Sequence, residues 1–310
     1  MRSIAISIIL SMGTACQICT LPTVEETLTC LREQPKEDVK EKYAEARKHI
    51  DNHKTYFSLT TSPKRIRDKG FLLVLETLQS EYIDSILLFL PEKYKDREPY
   101  VIPDQVRNFP KLQIIQEGKD WGPIMKILPA LERFQNDPDA IIIAVDDDTG
   151  YSAGMAGQLI KSVAMHDTVV GNFGHNLGHW GARQQFWPDP SERTSACENG
   201  EENLCDILEG FGGVAYKAKF FDVNRLKELS QLSLACKTSD DYVIHHALAE
   251  KNVPRRRIQN TYIPGVHQFY FGFKSDALHQ GAGYRGHAFT NKQRYRACQR
   301  DIQRKKDSAK

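Results

Sequence analysis

The chain has 310 residues, 40% of them hydrophobic and 26% charged, with a formal net charge of +2. That length holds one large α/β domain or two small ones, and the composition is that of an ordinary globular protein. So small a net charge argues against nucleic acid as the main partner.

The first 22 residues, MRSIAISIILSMGTACQICTLP, place Arg2 before an apolar run and then the small residues Gly13, Thr14 and Ala15. This is the pattern of a secretory signal peptide with cleavage after Ala15, or of a short membrane anchor. Residues 23–52 are rich in Glu, Lys and Ala and read as a helical stem broken at Pro35. Seven cysteines stand at 16, 19, 30, 197, 205, 236 and 298. Their spacing shows no zinc-type pairs, and Cys197 with Cys205 is a candidate bridge in an oxidising compartment.

From residue 53 the pattern alternates between strands and helices. TYFSLTT reads as a strand, PKRIRDKGFLLVLETLQS as a helix, IDSILLFLP as a second strand and KLQIIQEG as a third. GPIMKILPALERF reads as one helix with Pro123 near its first position, where a missing N–H costs little. AIIIAV is the fourth strand, and it runs directly into Asp146, Asp147 and Asp148. Strands alternating with helices of this length predict a mostly parallel sheet flanked by helices, in one domain over 53–287. Ligands of such sheets bind at the carboxyl ends of the strands, which is where the three acids fall.

Alternation along an extended strand end would turn Asp146 and Asp148 to one face and Asp147 to the other. Two carboxylates converging there make a hard-oxygen site suited to Mg²⁺ or Mn²⁺, with open positions that phosphate oxygens fill. An EF-hand is excluded, since Gly150 and Gly157 stand where that loop needs an acid or amide and a glutamate.

Beyond the acids, TVVGNFG reads as a strand, and residues 175–203 form a long loop with His175, His179 and Trp180. ILEGFGGVAYKAKFF holds a Gly-rich turn, TSDDYVIHHALAEKN a helix capped at Thr238 or Ser239, and RRRIQNTYI a last strand before PGVHQFYFGF. Residues 288–310 are strongly basic and read as a solvated tail.

The four-strand lead-in, the Asp-x-Asp at the end of the fourth strand, the later Gly-rich turn and the acidic helix start together resemble a glycosyltransferase of GT-A (Rossmann-like) fold, over roughly residues 54–275. The resemblance implies a divalent cation, Mn²⁺ or Mg²⁺, on the diphosphate of a UDP- or GDP-sugar donor, and a glycan, lipid or protein acceptor. It implies Asp146 and Asp148 as metal ligands, with His267 in the C-terminal loop as a third, and Asp147 beside them at the donor. Thr60, Thr61 and Arg65 at the end of the first strand would meet the nucleotide, and Lys126 its phosphates. Gly212 and Gly213 would lie beside the sugar and acceptor. Asp241, the second acid of the pair begun by Asp240, would act as the base if the reaction inverts. His175, His179 and Trp180 suit an acceptor surface.

Several of these residues have a plainer reading from the sequence. Thr60, Thr61 and Arg65 suit turn and helix capping, Asp120 suits an N-cap, and Thr238 with Asp241 fits a capping box. An apolar strand ending in Asp-x-Asp also resembles haloacid dehalogenase-like phosphatases. Their motif, however, ends the first core strand and has Thr or Val where Gly150 stands. A non-catalytic carbohydrate-binding relative is the third reading. A nucleotide-sugar enzyme with this leader is expected in a secretory lumen or at a membrane, associated through its N-terminus.

Overall fold

The computed structural model describes residues 53–80, 82–95, 97–151, 154–176, 204–258, 267–268 and 291–308. The leader, the stem, Cys16, Cys19, Cys30, Cys197, His179 and Trp180 lie outside the described residues. No helix among the described residues is long and apolar enough to cross a membrane.

The sheet grows outward from two adjacent strands, β1 (Thr55–Leu59) and β4 (Ile141–Ala144). On one side β1 pairs in parallel with β2 (Ser85–Pro91), and β2 with β3 (Leu112–Glu117). On the other, β4 pairs antiparallel with β6 (Val214–Lys217), β6 antiparallel with β5 (Val169–Gly171), and β5 in parallel with β7 (Arg255–Arg257). Read across, the order is β7-β5-β6-β4-β1-β2-β3. This is the mostly parallel α/β sheet flanked by helices that the sequence predicts. The strand that leads into the acids lies at its centre.

The central strands are buried on both faces, which is why they read as apolar runs rather than alternations. Ile141, Ile142 and Ile143 are all fully buried; each such side chain contributes about 2 kcal/mol by leaving water. Register fixes where β4 ends: Ser58 lies opposite Ala144, and the Val145 N–H donates to the Ser58 carbonyl at 3.0 Å. The chain leaves the sheet there. Asp146–Asp148 therefore sit in a turn, and strand alternation does not govern them.

Two helices expected to be continuous are each divided. In the first, a 3-10 turn at Arg65–Arg67 precedes α1 (Lys69–Thr77), because Asp68 turns extended and caps α1 through the Gly70 N–H at 2.7 Å. In the second, a 3-10 turn at Gly122–Lys126 precedes α2 (Leu128–Arg133). Pro129 lacks an N–H and would clash with a continuing helix, so the break falls just before it. Gly122 has a positive φ of 78°, and a Cβ there would come 2.8 Å from the Lys237 carbonyl oxygen.

Helix α3 (Met155–His166) packs on β4, β5 and β6, and α4 (Val223–Ser230) packs between α2 and α5 (Asp240–Glu250). The basic C-terminal segment is a helix, α6 (Asn291–Ser308), where a solvated tail was expected. Its buried face is Arg294, Cys298 and Ile302, at helical spacing of four. A disulfide joins Cys298 to Cys236, 62 residues earlier, in the short helix Leu234–Lys237. Closing a loop of that length removes about 4 kcal/mol of unfolded-chain entropy in the simplest treatment. Cys205 is also disulfide-bonded; the candidate pairing with Cys197 falls outside the described residues.

Candidate functional site

Four segments meet at the carboxyl end of β4: the turn after β1, the Gly122–Lys126 turn, the Gly-rich turn before β6 and the first turn of α5. The three acids divide between two cations. Arg65 bonds Asp147 through Nη1 and reaches Asp148 Oδ2 at 3.2 Å. Thr61 Oγ1 donates to the other oxygen of Asp147 at 2.5 Å, and the Thr61 carbonyl is held in turn by the Tyr100 hydroxyl at 2.7 Å. Thr60 is half-buried beside them and takes no part in this hydrogen-bond set.

Lys126 belongs to the second group. It is only 6% exposed, and its Nζ lies 2.8 Å from both Asp146 Oδ1 and Asp240 Oδ2. Burial alone would lower its proton affinity, but Asp146, Asp240 and Asp241 together hold it well above the ordinary lysine value. It is a buried ammonium held by carboxylates, and the exposed-helix alternative does not apply.

Asp146 and Asp148, expected on one face, thus look to different cations. Asp148 is the less compensated. Burial first, then the charges of Asp147 and Asp146, push its carboxyl up to about 7 against the opposing pull of Arg65 and Lys126. Asp241 is raised well above the usual carboxylate range by burial and by Asp240, with smaller contributions from Asp146 and Glu209. Its Oδ1 accepts the Gly210 N–H at 3.1 Å.

The capping-box alternative for Asp241 does not form, because Thr238 Oγ1 donates backward to the Leu234 carbonyl at 2.9 Å. Asp120 accepts N–H groups from Gly122 at 2.7 Å and Lys95 at 2.6 Å, so it holds the turn that presents Lys126.

Tyr151 ties the acids to the Gly-rich turn. Its hydroxyl accepts the Asp146 N–H at 2.8 Å and donates to the Phe211 carbonyl at 3.0 Å. Within that turn, the space beside Gly212 and Gly213 is filled by protein: a Cβ would come 2.4 Å from Phe173 and 2.7 Å from Met155 Sδ, respectively. The glycine facing the charged groups is Gly210, where a Cβ would stand 2.6 Å from Lys126 Nζ and 3.0 Å from Asp241 Oδ1. Sequence reasoning passed over Gly210, although it lies in the same Gly-rich run.

It also passed over Glu209, whose Oε1 lies 3.1 Å from His175 Nδ1. His175 is in the short pair of strands Gly174–His175 and Ile207–Leu208. His267 pairs antiparallel, backbone to backbone, with Gly150, two residues past Asp148. Residues 267 and 268 are thereby brought beside the acid turn.

Among the described residues, no group of three or more His, Cys, Asp or Glu side chains forms a ready metal cage. The donor chemistry nonetheless fits a divalent cation. Among the described residues, Asp146, Asp147, Asp148, Asp240 and Asp241 are five carboxylates gathered around Arg65 and Lys126, and Asp148 and Asp241 both hold protons more tightly than usual, through burial first and then repulsion by neighbouring carboxylates. All the donors are oxygens, as Mg²⁺ and Mn²⁺ require, and such ions keep waters or phosphate oxygens in their remaining positions.

No family model and no curated protein matches the chain. Among solved structures it is similar to 4-diphosphocytidyl-2C-methyl-D-erythritolsynthase from Anaerococcus prevotii DSM 20548, at 13% identity over 69% of this chain and 91% of that one, with a TM-score of 0.42. It is similar to GalNAc-T7 with UDP, GalNAc and Mn²⁺, at 7% identity over 66% of this chain and 42% of that one, with a TM-score of 0.40. A mycobacterial protein matches at 14% identity over 58% of each chain, with a TM-score of 0.36. The chain thus spans less than half the length of the GalNAc-T7 chain. Likeness at this level concerns the general α/β fold and assigns no activity.

Proposed function

We propose that the protein is a metal-dependent glycosyltransferase, moving a sugar from a UDP- or GDP-sugar to a hydroxyl of a glycan, lipid or protein acceptor. One observation carries the reading: among the described residues, a surplus of carboxylates over cations collects where the central strand leaves the sheet, and two of the acids, Asp146 and Asp148, retain partly exposed side chains at 30% and 22%. Asp146 and Asp148, with His267 as the third candidate ligand, would hold a divalent cation, which would supply positive charge for a departing diphosphate. Asp147 orients the turn through Arg65 and Thr61, and Lys126 keeps Asp146 and Asp240 in register with each other.

Asp241 is the base for the acceptor hydroxyl. Burial and Asp240 raise its proton affinity above that of an ordinary carboxylate, which strengthens it as a proton acceptor. Glu209 and His175 line the acceptor side, beyond the Gly-rich turn.

The phosphatase alternative is disfavoured by topology, since the acids follow the fourth strand of the sheet in chain order, with β1, β2 and β3 before them. A screen of nucleotide-sugars for Mn²⁺-dependent donor hydrolysis tests the proposal. Hydrolysis of one UDP- or GDP-sugar, dependent on metal, supports it. Release of phosphate from simple phosphate esters, with no response to nucleotide-sugars, would favour the phosphatase.

With two disulfide-bonded segments and an apolar leader, the expected location is a secretory lumen or a membrane facing one.

A further inference from the structure

The short helix Leu234–Lys237 has only four residues, and a helix of that length does not hold its place unaided. Its support comes from α6. Cys298 of α6 is fully buried and bonded to Cys236. Farther along α6, Lys305 pairs with Glu228 of α4, and Lys306 with Glu250 of α5 at 3.2 Å.

From Cys236 the support reaches the site in two directions. Along the backbone, the Cys236 carbonyl accepts the N–H of Ser239, the residue that begins α5. Asp240 follows, with its Oδ2 2.8 Å from Lys126 Nζ. Across the fold, Lys237 packs on Gly122, the first residue of the turn that ends at Lys126. A Cβ at Gly122 would stand 2.8 Å from the Lys237 carbonyl oxygen and 3.3 Å from its Cγ. Both partners of the Lys126–Asp240 ion pair are therefore mounted on, or against, the segment that the disulfide holds. The same ammonium lies 2.8 Å from Asp146.

We propose that the Cys236–Cys298 disulfide positions the candidate metal centre. It keeps the Leu234–Lys237 helix against the Gly122–Lys126 turn, which sets Lys126 between Asp240 and Asp146 and fixes where Asp146 presents its carboxylate. Metal ligands need to be held within about 0.5 Å of their working place, so a loosened turn costs affinity. The inference rests on the reading of Asp146 as a metal ligand.

The test is calorimetric titration of the full chain with Mn²⁺ in the presence of UDP or GDP. Cys236→Ser/Cys298→Ser should weaken Mn²⁺ binding by about ten- to a hundredfold, the usual cost of losing a group that orients a ligand. Gly122→Ala should weaken it comparably, because the added methyl group pushes the turn away from Lys237. In Gly122→Ala/Cys236→Ser/Cys298→Ser the two losses should multiply to less than their product, since a helix released from Cys298 yields to the methyl group. Should the double variant fail to fold, Gly122→Ala alone decides, through its Mn²⁺ affinity.

A disulfide that merely closes a loop would lower the melting temperature and leave Mn²⁺ affinity alone. Wild-type affinity in either variant, or losses that multiply in full when the variants are combined, would overturn the inference. A wild-type protein that binds no Mn²⁺ with either nucleotide would instead overturn the metal-dependent transferase reading, and this inference with it.

Discussion

Asp147 and Asp148 are neighbours in the same turn, yet they live in opposite electrostatic conditions. Asp147 is 9% exposed and doubly satisfied, by Arg65 on one oxygen and Thr61 on the other. Asp148 shares Arg65 only at 3.2 Å and is pushed up to about 7 by burial and by its two acidic neighbours. A run of three identical residues therefore separates into a buttress and a vacancy for charge. Identity in the sequence says nothing about this division. Which cation each carboxylate can reach decides it, and Arg65 comes from the turn after β1 while Lys126 comes from the turn before α2.

If that division is right, substitutions within the triplet should have unlike consequences. Asp148→Asn or Asp146→Asn should reduce metal-dependent turnover about a thousandfold or more, the scale expected when a Lewis acid worth several kcal/mol is lost. Asp148→Asn should lower the melting temperature little, since it removes a crowded negative charge, whereas Asp146→Asn leaves the buried Lys126 with Asp240 as its remaining ion-pair partner among the described residues and should lower it more. Asp147→Ala should do the reverse of Asp148→Asn. Leaving Arg65 buried without its main partner should cost about 3–5 kcal/mol in chemical denaturation, with residual activity per folded molecule well above that of Asp148→Asn. Equal losses of activity without loss of stability in all three would erase the distinction drawn here.

A smaller effect sharpens the link between the acids and the Gly-rich turn. Tyr151→Phe removes the acceptor for the Asp146 N–H and the donor to the Phe211 carbonyl. A buried backbone group left unpaired costs about 1–3 kcal/mol, measurable as a shift in denaturation midpoint.

A separate effect concerns pH. Burial first, then Arg255, hold the His245 imidazole down to about 3 against an ordinary 6.5, while its Nε2 lies 2.9 Å from the Leu208 nitrogen and 2.8 Å from the Leu208 carbonyl oxygen. The unfolded chain takes up this proton first, so the stability contributed by neutral His245 is complete above about pH 6.5 and is lost as pH falls toward 3. Melting temperature followed across that window should fall less steeply in His245→Gln than in the wild type.

What was legible in the sequence follows the physics of each region. The central strands announce themselves as short apolar runs because both faces are buried, so β1 to β4 and the acids at their carboxyl end could be read in order. The turn chemistry could not. Strand alternation fails at Asp146 because the β4–β1 pairing ends at Ala144, a register fact with no local signal. Pro129 was visible and does break the helix, yet the reading carried the helix through it. Arg65 and Lys126 were found as candidates for a nucleotide, but their contacts with the acids are long-range and have no sequence spacing. Gly210 and Glu209 lay in plain view in EGFGG; the doubled glycine drew attention to Gly212 and Gly213, whose neighbours are Phe173 and Met155. The C-terminal helix was hidden by its own charge, since only a sparse stripe at Arg294, Cys298 and Ile302 faces the protein. Its disulfide partner is 62 residues away.

The proposed role of the carboxylates beside β4 is to hold a divalent cation, which would in turn anchor a diphosphate. The most direct measurement is the thermal shift produced by UDP and GDP, with and without Mn²⁺, on the wild type and on Asp148→Asn. The expected result is stabilisation of about 2.7 kcal/mol at a hundredfold excess over Kd, seen only when nucleotide and metal are both present and absent from Asp148→Asn. A nucleotide shift of equal size in the presence of a chelator, or one undiminished in Asp148→Asn, would contradict it.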